Sequence, residues 1–443
     1  MTVPIQSFSD LRRALVKSAE QRVRREAARW KRARSKAKFV CVTGSSGKST
    51  TSTLLAHILN LHRPTASQTI SNTFPWLQRA VRKLPADLAF AVFETGIAKK
   101  GDMDPITGLL QPDMAIVTLV TNEHYSSFRG RQGVAEEKGK LVAAVRPGGC
   151  AILNADDDQV IAMAALTEQK VITFSRHKAE ADYLILPRRP GPEGLTLEIK
   201  GHGRNLELQT GFLAEHFWVP TAAAAIAALE LGVPDELVVE GVATFPGLFG
   251  RFYMMSTRRG PQFILDTTKA PWDTLITAIE SFGRLDSPRR KRIILGHIAD
   301  YRGNPRPKYR EACQVALRNA DEVVLVGDNQ RHAQVSEEVT AAGAFKAIRS
   351  VGETAEYLRR TATPDDLIFL KSSSNLHLER LALDWDHSVR CWEQECGMAG
   401  SCKGCGLFSH PFSEHPQLRK AKKRLSVPAV LSRLSIAQQR PRS

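Results

Sequence analysis

The residues best suited to chemistry lie in Thr43-Gly44-Ser45-Ser46-Gly47-Lys48-Ser49-Thr50. Two glycines let the backbone close around an anion, a lysine follows the second, and two hydroxyls follow the lysine. This is a phosphate-loop composition, shortened by two residues from the common Gly-x4-Gly-Lys-Ser/Thr spacing. Lys48 would set a point charge against the β/γ-phosphates of ATP, and Ser49 would ligate Mg2+. A carboxylate, Glu94, an imidazole, His124, and an amine, Lys138, follow downstream. Near a triphosphate a carboxylate has an evident task in holding Mg2+. His124 taken alone is more often a structural histidine, and a lysine such as Lys138 within Glu136-Glu137-Lys138-Gly139-Lys140 is usually a helix-surface ion-pair partner.

These groups need strands that end where they begin. Lys38 to Val42 is a short apolar run, as in a buried parallel strand, and Leu54, Leu55, Ile58 and Leu59 repeat at helical spacing after the loop. A strand, a glycine turn and a helix N-terminus aim backbone N–H groups at one point. Further apolar runs at Leu88–Phe93, Met114–Val120 and Cys150–Leu153 end in Glu94-Thr95-Gly96, in Thr121 to His124 and in Asn154 to Asp158. Polar groups at the carboxyl ends of such strands are where open α/β sheets bind ligands. Val171–Phe174 and the stretch from Tyr183 to Leu208 add strands, and the alanine-rich Thr221–Leu231 reads as a helix stopped by Gly232 and Pro234.

A second α/β unit starts near Gly250-Arg251, with strands at Phe263–Leu265, Arg292–Leu295, Glu322–Val326 and Asp366–Leu370. The expected fold class is therefore α/β. A basic helical segment (1–37) precedes a P-loop ATP-binding domain with a parallel sheet (38–248). A Rossmann-like domain (249–388) and a Cys-containing appendix with a basic tail (389–443) follow.

The chain has 443 residues, of which 24% are charged and 42% hydrophobic, values of a folded globular protein. Neither a membrane-spanning run nor a signal-peptide core is expected, which points to the cytoplasm. The net charge of +16 is concentrated at the two ends. Ser9 to Ala37 reads as one long arginine-rich helix with a thin apolar stripe, suited to lying across another domain or an anionic partner. Cys41, Cys150 and Cys313 sit singly in apolar or helical segments, as buried thiols do. Cys391, Cys396, Cys402 and Cys405 follow a C-x4-C-x5-C-x2-C spacing that suits structural Zn2+, with His410 and His415 as substitutes. Reduced free thiols and a redox pair are the alternatives.

The ordered motifs resemble those of the ATP-dependent Mur ligases, which join a carboxylate to an amine. Val42 to Thr51 resembles the family's shortened phosphate loop. Phe93-Glu94-Thr95-Gly96, Gly101-Asp102 and Gln111-Pro112-Asp113 resemble the D-Ala-D-Ala-adding branch. Asn122 to Phe128 and Glu137-Lys138-Gly139-Lys140 look like the His motif and the lysine segment, and Leu153-Asn154-Ala155-Asp156-Asp157 like the family's Leu-Asn-Ala-Asp-Asp run. Leu265-Asp266-Thr267-Thr268-Lys269-Ala270 resembles the glutamate-adding branch, and Gly327-Asp328-Asn329-Gln330-Arg331 the lysine/diaminopimelate-adding branch. Leu370-Lys371-Ser372-Ser373-Ser374 again resembles the D-Ala-D-Ala-adding branch.

The resemblance implies roles for these positions. Thr43 to Thr50 would cradle ATP, with Lys48 on its phosphates. Ser49 and Glu94 would hold one Mg2+, and His124 a second, together with Lys138 if that lysine is carbamylated. Arg251 and Lys269 would reach the phosphates, and Asp266 and Asn329 would lie on the nucleotide side. The implied reaction makes an acyl phosphate and ADP, and an amino acid or amine then displaces phosphate to leave an amide.

Two departures shape the expectation. His216 is kept ahead of the alanine-rich helix, but Phe217 and Pro220 occupy positions where the family commonly has amides, so adenine recognition is expected to differ. Only the basic helix precedes the phosphate loop, where stem-peptide ligases place a UDP-sugar-binding domain. The small-molecule or peptide carboxylate is therefore expected to differ from standard UDP-muramoyl peptide. The competing reading is a P-loop ATPase or kinase binding nucleic acid through its basic ends. The basic helix lacks interleaved aromatics for base stacking, which weighs against it.

Overall fold

The computed structural model describes residues 8–425, apart from 124, 189, 192 and 399. Contacts divide it into two compact units, the first running to Leu248 and the second from Phe249, with two short segments near 284–286 and 300–302 joining the first.

The first unit is built on a nine-stranded sheet. Its strands are β1 (Lys38–Thr43), β2 (Thr65–Gln68), β3 (Phe90–Glu94), β4 (Met114–Val117), β5 (Cys150–Asn154), β6 (Lys170–Ser175), β7 (Tyr183–Pro187), β8 (Thr196–Gly201) and β9 (Arg204–Gln209), in the order β2-β3-β1-β4-β5-β6-β7-β8-β9. Pairing is parallel from β2 to β7 and antiparallel beyond. In β1 every residue after Lys38 is buried, because both faces of a central parallel strand are covered by helices. The chain moves outward to β2 on one side of β1 and to β4 on the other. The loop after β1 thus opens at a switch point, where α/β sheets leave a crevice.

Two helices flank β1 along the chain. Helix α1 (Phe8–Arg34) is the expected N-terminal helix, and it docks on the first unit through its last turns. Ala28 is fully buried in the core with Phe39 and Phe93. The Arg32 guanidinium donates to the carbonyls of Leu110 and Gln111, both at 2.7 Å, pairs with Asp113 at 3.1 Å and lies 3.9 Å over the Phe39 ring. Burial pulls its pKa below the ordinary arginine value, and Asp113 opposes that shift. The second helix, α2 (Lys48–His62), buries Leu54, Leu55, Ile58 and Leu59 as the spacing requires.

The second unit holds a six-stranded sheet: β10 (Tyr253–Ser256), β11 (Gln262–Asp266), β12 (Arg290–Leu295), β13 (Glu322–Val326), β14 (Phe345–Ile348) and β15 (Asp366–Lys371), in the order β10-β11-β15-β12-β13-β14. Only β10 runs antiparallel. At its amino edge Arg292, fully buried, pairs with Glu322 at 3.0 Å and Asp366 at 3.2 Å. That cluster ties β12, β13 and β15 together at the end away from the polar loops. No helix among the described residues is long and apolar enough to cross a membrane.

Candidate active site

Gly44 follows β1 with φ +142°, and a Cβ on it would stand 2.0 Å from the Thr118 hydroxyl and 3.2 Å from the Leu119 carbonyl. Only glycine passes between the ends of β1 and β4. Gly47 takes φ 82° and caps α2 without a side chain, so the helix N-terminus faces outward with first-turn N–H groups that have no intrahelical acceptor. The loop between them is braced: Ser45 N–H donates to Leu119 O at 2.7 Å, and the Thr118 hydroxyl donates to Ser46 O at 2.6 Å.

Two ammonium groups point into this loop. Lys48, nearly buried, donates to the Gly44 carbonyl and, at 3.4 Å, to Ser45 O. Lys138 comes from the separate helix Arg131–Ala143, is wholly buried, and donates to the same Gly44 carbonyl at 3.0 Å. It also pairs with Glu123 at 2.5 Å. Lys138 is therefore an interior cation with a carboxylate partner, where the sequence allowed a surface lysine. Carbamylation would place a second anion against Glu123. His124 lies outside the described residues.

Glu94 ends β3 and is buried, in register with Val42 just before the loop. Its carboxylate accepts from Ile70 N–H at 2.6 Å and from Asn72 Nδ2 at 2.7 Å. Those bonds orient two hard oxygens, of the kind that Mg2+ takes, at the strand end beside the start of the loop. The Asn154–Asp157 run braces the floor of the site. Asn154 donates to Thr118 O at 2.9 Å, while Asp157 accepts from Val120 N–H at 2.8 Å and from Arg131 at 2.6 Å.

Near the alanine-rich helix Trp218–Glu230, Phe217 is buried and stacked on Phe212, ring centroids 4.3 Å apart. Pro220 lies against the loop, its Cβ 3.6 Å from where a Gly47 Cβ would stand. Phe217 is thus a core ring, and the residues that depart from the family's amides fill space. His216 packs beside it at 4.6 Å.

The second unit gathers its own group. Lys371 at the end of β15 pairs with Asp266 at 2.5 Å and donates to Lys269 O at 3.0 Å, holding the loop that carries Lys269. Asn329 donates to the Tyr309 hydroxyl at 2.9 Å, which also accepts from Ile298 N–H. A cleft of about 490 Å3 opens at the carboxyl ends of β12 and β13, lined by His297, Asp328, Asn329, His377, Gln394 and Glu395 among others. Burial lowers the His297 pKa. Arg251 follows Gly250, whose carbonyl accepts from Thr267 and Thr268 N–H. Glu123, Thr118, Asn72 and Lys371 escaped a reading by motif roles. Glu123 and Lys371 lie inside the motifs quoted above without an assigned role, whereas Thr118 and Asn72 carried no such signal.

The comparisons with known proteins agree with this architecture. Residues 42–229 match the family model for the Mur ligase middle domain, and residues 250–374 that for the Mur ligase glutamate ligase domain. The chain belongs to the Mur ligase family. Mur ligases are ATP-dependent, ADP-forming acid–amino-acid ligases, and this chain is one of them. The UDP-N-acetylmuramoyl-tripeptide–D-alanyl-D-alanine ligase of Mycobacterium tuberculosis is 26% identical over 379 residues, 78% of this chain and 72% of that protein. The Bacillus subtilis enzyme of the same name is 23% identical over 353 residues, 78% of this chain and 75% of that one. Among solved structures, MurF from Acinetobacter baumannii superposes with a TM-score of 0.71 at 22% identity, covering 82% of this chain and 79% of that one. MurF from Thermotoga maritima, solved with ADP, gives 0.71 at 19% identity and covers 82% of each.

The C-terminal cysteines of this Mur ligase do not form the four-thiol group expected from their spacing. Among the described residues, the donor atoms that lie within 4.8 Å of one another belong to His377, Glu379 and Cys402. Cys396 meets His377 Nε2 at 3.1 Å, and Cys391, Cys396 and Cys405 all stand outside that group. His415 Nε2–H donates to the carbonyls of Leu407 and His410, and His410 faces Glu414.

Proposed function

We propose that this Mur ligase activates an anionic carboxylate other than standard UDP-muramoyl peptide and joins it to an amine. The observation that carries the site assignment is the convergence of Lys48 and Lys138 on the Gly44 carbonyl at the open N-terminus of α2. Two cations held on a neutral oxygen are positioned for exchange onto phosphate oxygens, where charge-assisted hydrogen bonds are stronger. Thr43 to Thr50 would hold the triphosphate. Ser49 and Glu94 would hold Mg2+, which would neutralise phosphate charge as the γ-phosphoryl group leaves for the carboxylate. Lys138 would follow that charge from the far side of the loop, balanced by Glu123.

Arg251, Asp266, Lys269 and Asn329 would serve the nucleotide and the acyl phosphate from the second unit. Lys371 would fix Lys269 through its backbone. The cleft beside Asn329 carries Asp328 and Glu395, and that acidic lining suits an incoming ammonium. On the first unit, the exposed Arg22 and Arg25 of α1 supply cationic groups for an anionic acid.

The test is ADP and phosphate release from Mg2+-ATP with panels of acids and amines, with Lys48→Ala as control. Release that needs both partners, with product mass equal to their sum less water, supports the reading and names the substrates. Preferred turnover of UDP-muramoyl tripeptide with D-alanyl-D-alanine would overturn the substrate proposal and leave the ligase assignment intact.

A further inference from the structure

Helix α1 turns only part of its surface to the first unit. Ala28 and Arg32 are buried there, Arg32 against the stretch from Leu110 to Asp113. Arg32 lies nine residues beyond Val23, and at 3.6 residues per turn the two side chains stand about 180° apart. On that outer side Val16, Val23 and Trp30 recur every seventh residue, close to one line along the helix, and are 53%, 68% and 62% exposed. Ala19 and Ala27 are exposed between them. Among the described residues, the outer face of α1 is thus an uncovered apolar stripe.

Cations flank the stripe. Arg22, Arg24, Arg25 and Arg29 are all exposed on the same turns. The two acids there, Glu20 and Glu26, meet Arg24 at 3.0 Å and Arg29 at 3.1 Å, so the surface stays net positive. Helix α3 (Phe74–Arg82), which packs on α1, repeats the pattern. It buries Leu77 and Val81 in the core cluster that holds Ala28, and it exposes Trp76 with Arg79 and Arg82. In both helices an arginine lies on the tryptophan: Arg34 is 4.9 Å over the Trp30 ring and Arg79 is 5.9 Å over the Trp76 ring.

We propose that α1 and α3 form a docking face for the surface of an anionic lipid bilayer, with α1 lying flat and Val16, Val23 and Trp30 at the boundary of headgroups and acyl chains. A basic helix with an apolar stripe binds such an interface by burying the stripe and attracting anionic headgroups. Tryptophan suits that depth, and arginine stems lie along apolar surface while their guanidinium groups reach phosphate. Stripe and charge together select this occupant. A nucleic-acid backbone would use the arginines but leave Val16 and Val23 in water. A second copy of the helix would bring Arg22 and Arg25 against like charge. The face stands whether or not Arg22 and Arg25 also meet the acid substrate.

The experiment is co-sedimentation of the full-length protein with vesicles of phosphatidylcholine, alone or with about a third phosphatidylglycerol. Partitioning onto the anionic vesicles is expected to exceed that onto the neutral ones by roughly tenfold or more, and to fall as salt rises. Val23→Asp, and Arg22→Glu with Arg25→Glu, are each expected to lower it by roughly tenfold. Leu186→Ser, an exposed apolar position on β7, four strands along the sheet from β1, is expected to leave it unchanged. Lipids brominated in the acyl chain are expected to quench the native protein's tryptophan fluorescence, and Trp30→Leu to lose much of that quenching while still binding. Binding that is absent, or equal on the two vesicles, would overturn the proposal. Binding that the arginine pair abolishes and Val23→Asp leaves intact would overturn it in favour of headgroup charge alone or, where RNA displaces the vesicles, of a nucleic-acid face. A concentration-dependent dimer that Val23→Asp dissolves, without vesicle binding, would assign the stripe to a second copy instead. Turnover enters none of these readouts, so each result leaves the ligase assignment in place.

Discussion

Lys48 and Lys138 donate to one oxygen, the carbonyl of Gly44, although one belongs to the loop itself and the other to a helix far along the chain. The loop is therefore closed on its own cations. On the proposed function, binding ATP would exchange that carbonyl for phosphate oxygens at both ammonium groups, and the two lysines would then act as a pair. Lys48→Ala and Lys138→Met are each expected to lower kcat by about 10²–10³, the usual loss of one preorganised donor. The double variant should cost clearly less than the product of the singles. Strict multiplication of the two effects in steady-state assays would refute the pairing.

The Lys138–Glu123 contact gives a stability prediction independent of catalysis. Lys138→Met leaves a buried carboxylate without its cation, expected to cost about 3–5 kcal/mol in urea unfolding. Glu123→Gln combined with Lys138→Met should recover most of that loss while turnover stays low. Equal stability of the single and double variants would show that the pair contributes nothing.

Gly44→Ala sets a methyl group 2.0 Å from Thr118 Oγ1 in a left-handed backbone region. Nucleotide affinity should fall by tenfold or more, and thermal stability should drop by an amount set by roughly 1–3 kcal/mol of strain. Adding Thr118→Ala removes the side-chain clash but keeps the positive φ and the Leu119 carbonyl. Only partial recovery of ATP binding is expected by calorimetry, and full recovery would mean the backbone conformation is unimportant.

Arg292→Met tests the far end of the second sheet. It takes the buried guanidinium from Asp366 and Glu322, of which Glu322 keeps Arg290 at 2.7 Å and the Tyr357 hydroxyl, with an expected destabilisation of at most about 3–5 kcal/mol. KM and kcat at a permissive temperature should stay within about twofold, since the cluster lies at the opposite end of the strands from the cleft. A large kinetic effect in a folded variant would contradict that separation.

Acid should weaken the protein in a defined window through His297. Its ordinary value is 6.5, and burial lowers the folded one, so protonation opposes folding. The neutral-state contribution is full above about 6.5 and is lost as pH falls from there through the lowered value. His297→Asn should flatten this part of the stability–pH curve measured by chemical denaturation. An unchanged slope would assign the acid limb to other groups.

Much of this was legible from residue patterns. The central strands β1 and β3–β5 are buried on both faces and appear as unbroken apolar runs. Strand β2 was not legible, because Thr65-Ala66-Ser67-Gln68 sits at an edge and has no need of an apolar face. Strand β14 alternates Phe345 and Ile348 with exposed Lys346 and Ala347, too short a pattern to stand out. The phosphate loop and Glu94 were visible because glycine spacing and strand ends are local properties. The burial of Lys138 was not, since its neighbours in sequence are charged and its partner Glu123 meets it only through the fold. His377 was invisible for the same reason: a solitary histidine gains meaning only when thiols arrive from another segment.

The appendix alters how portable this protein's parts are. The family match ends at residue 374, while the cleft wall continues to residue 398. Grafting residues 250–374 into a relative would transfer the sheet and the Asp328-Asn329 corner, but leave one side of the cavity open. On the reading that the cleft takes the incoming amine, selectivity would rest partly on a short stretch outside the shared family match. Recombination at the shared family boundary would then separate the sheet from part of its cleft wall.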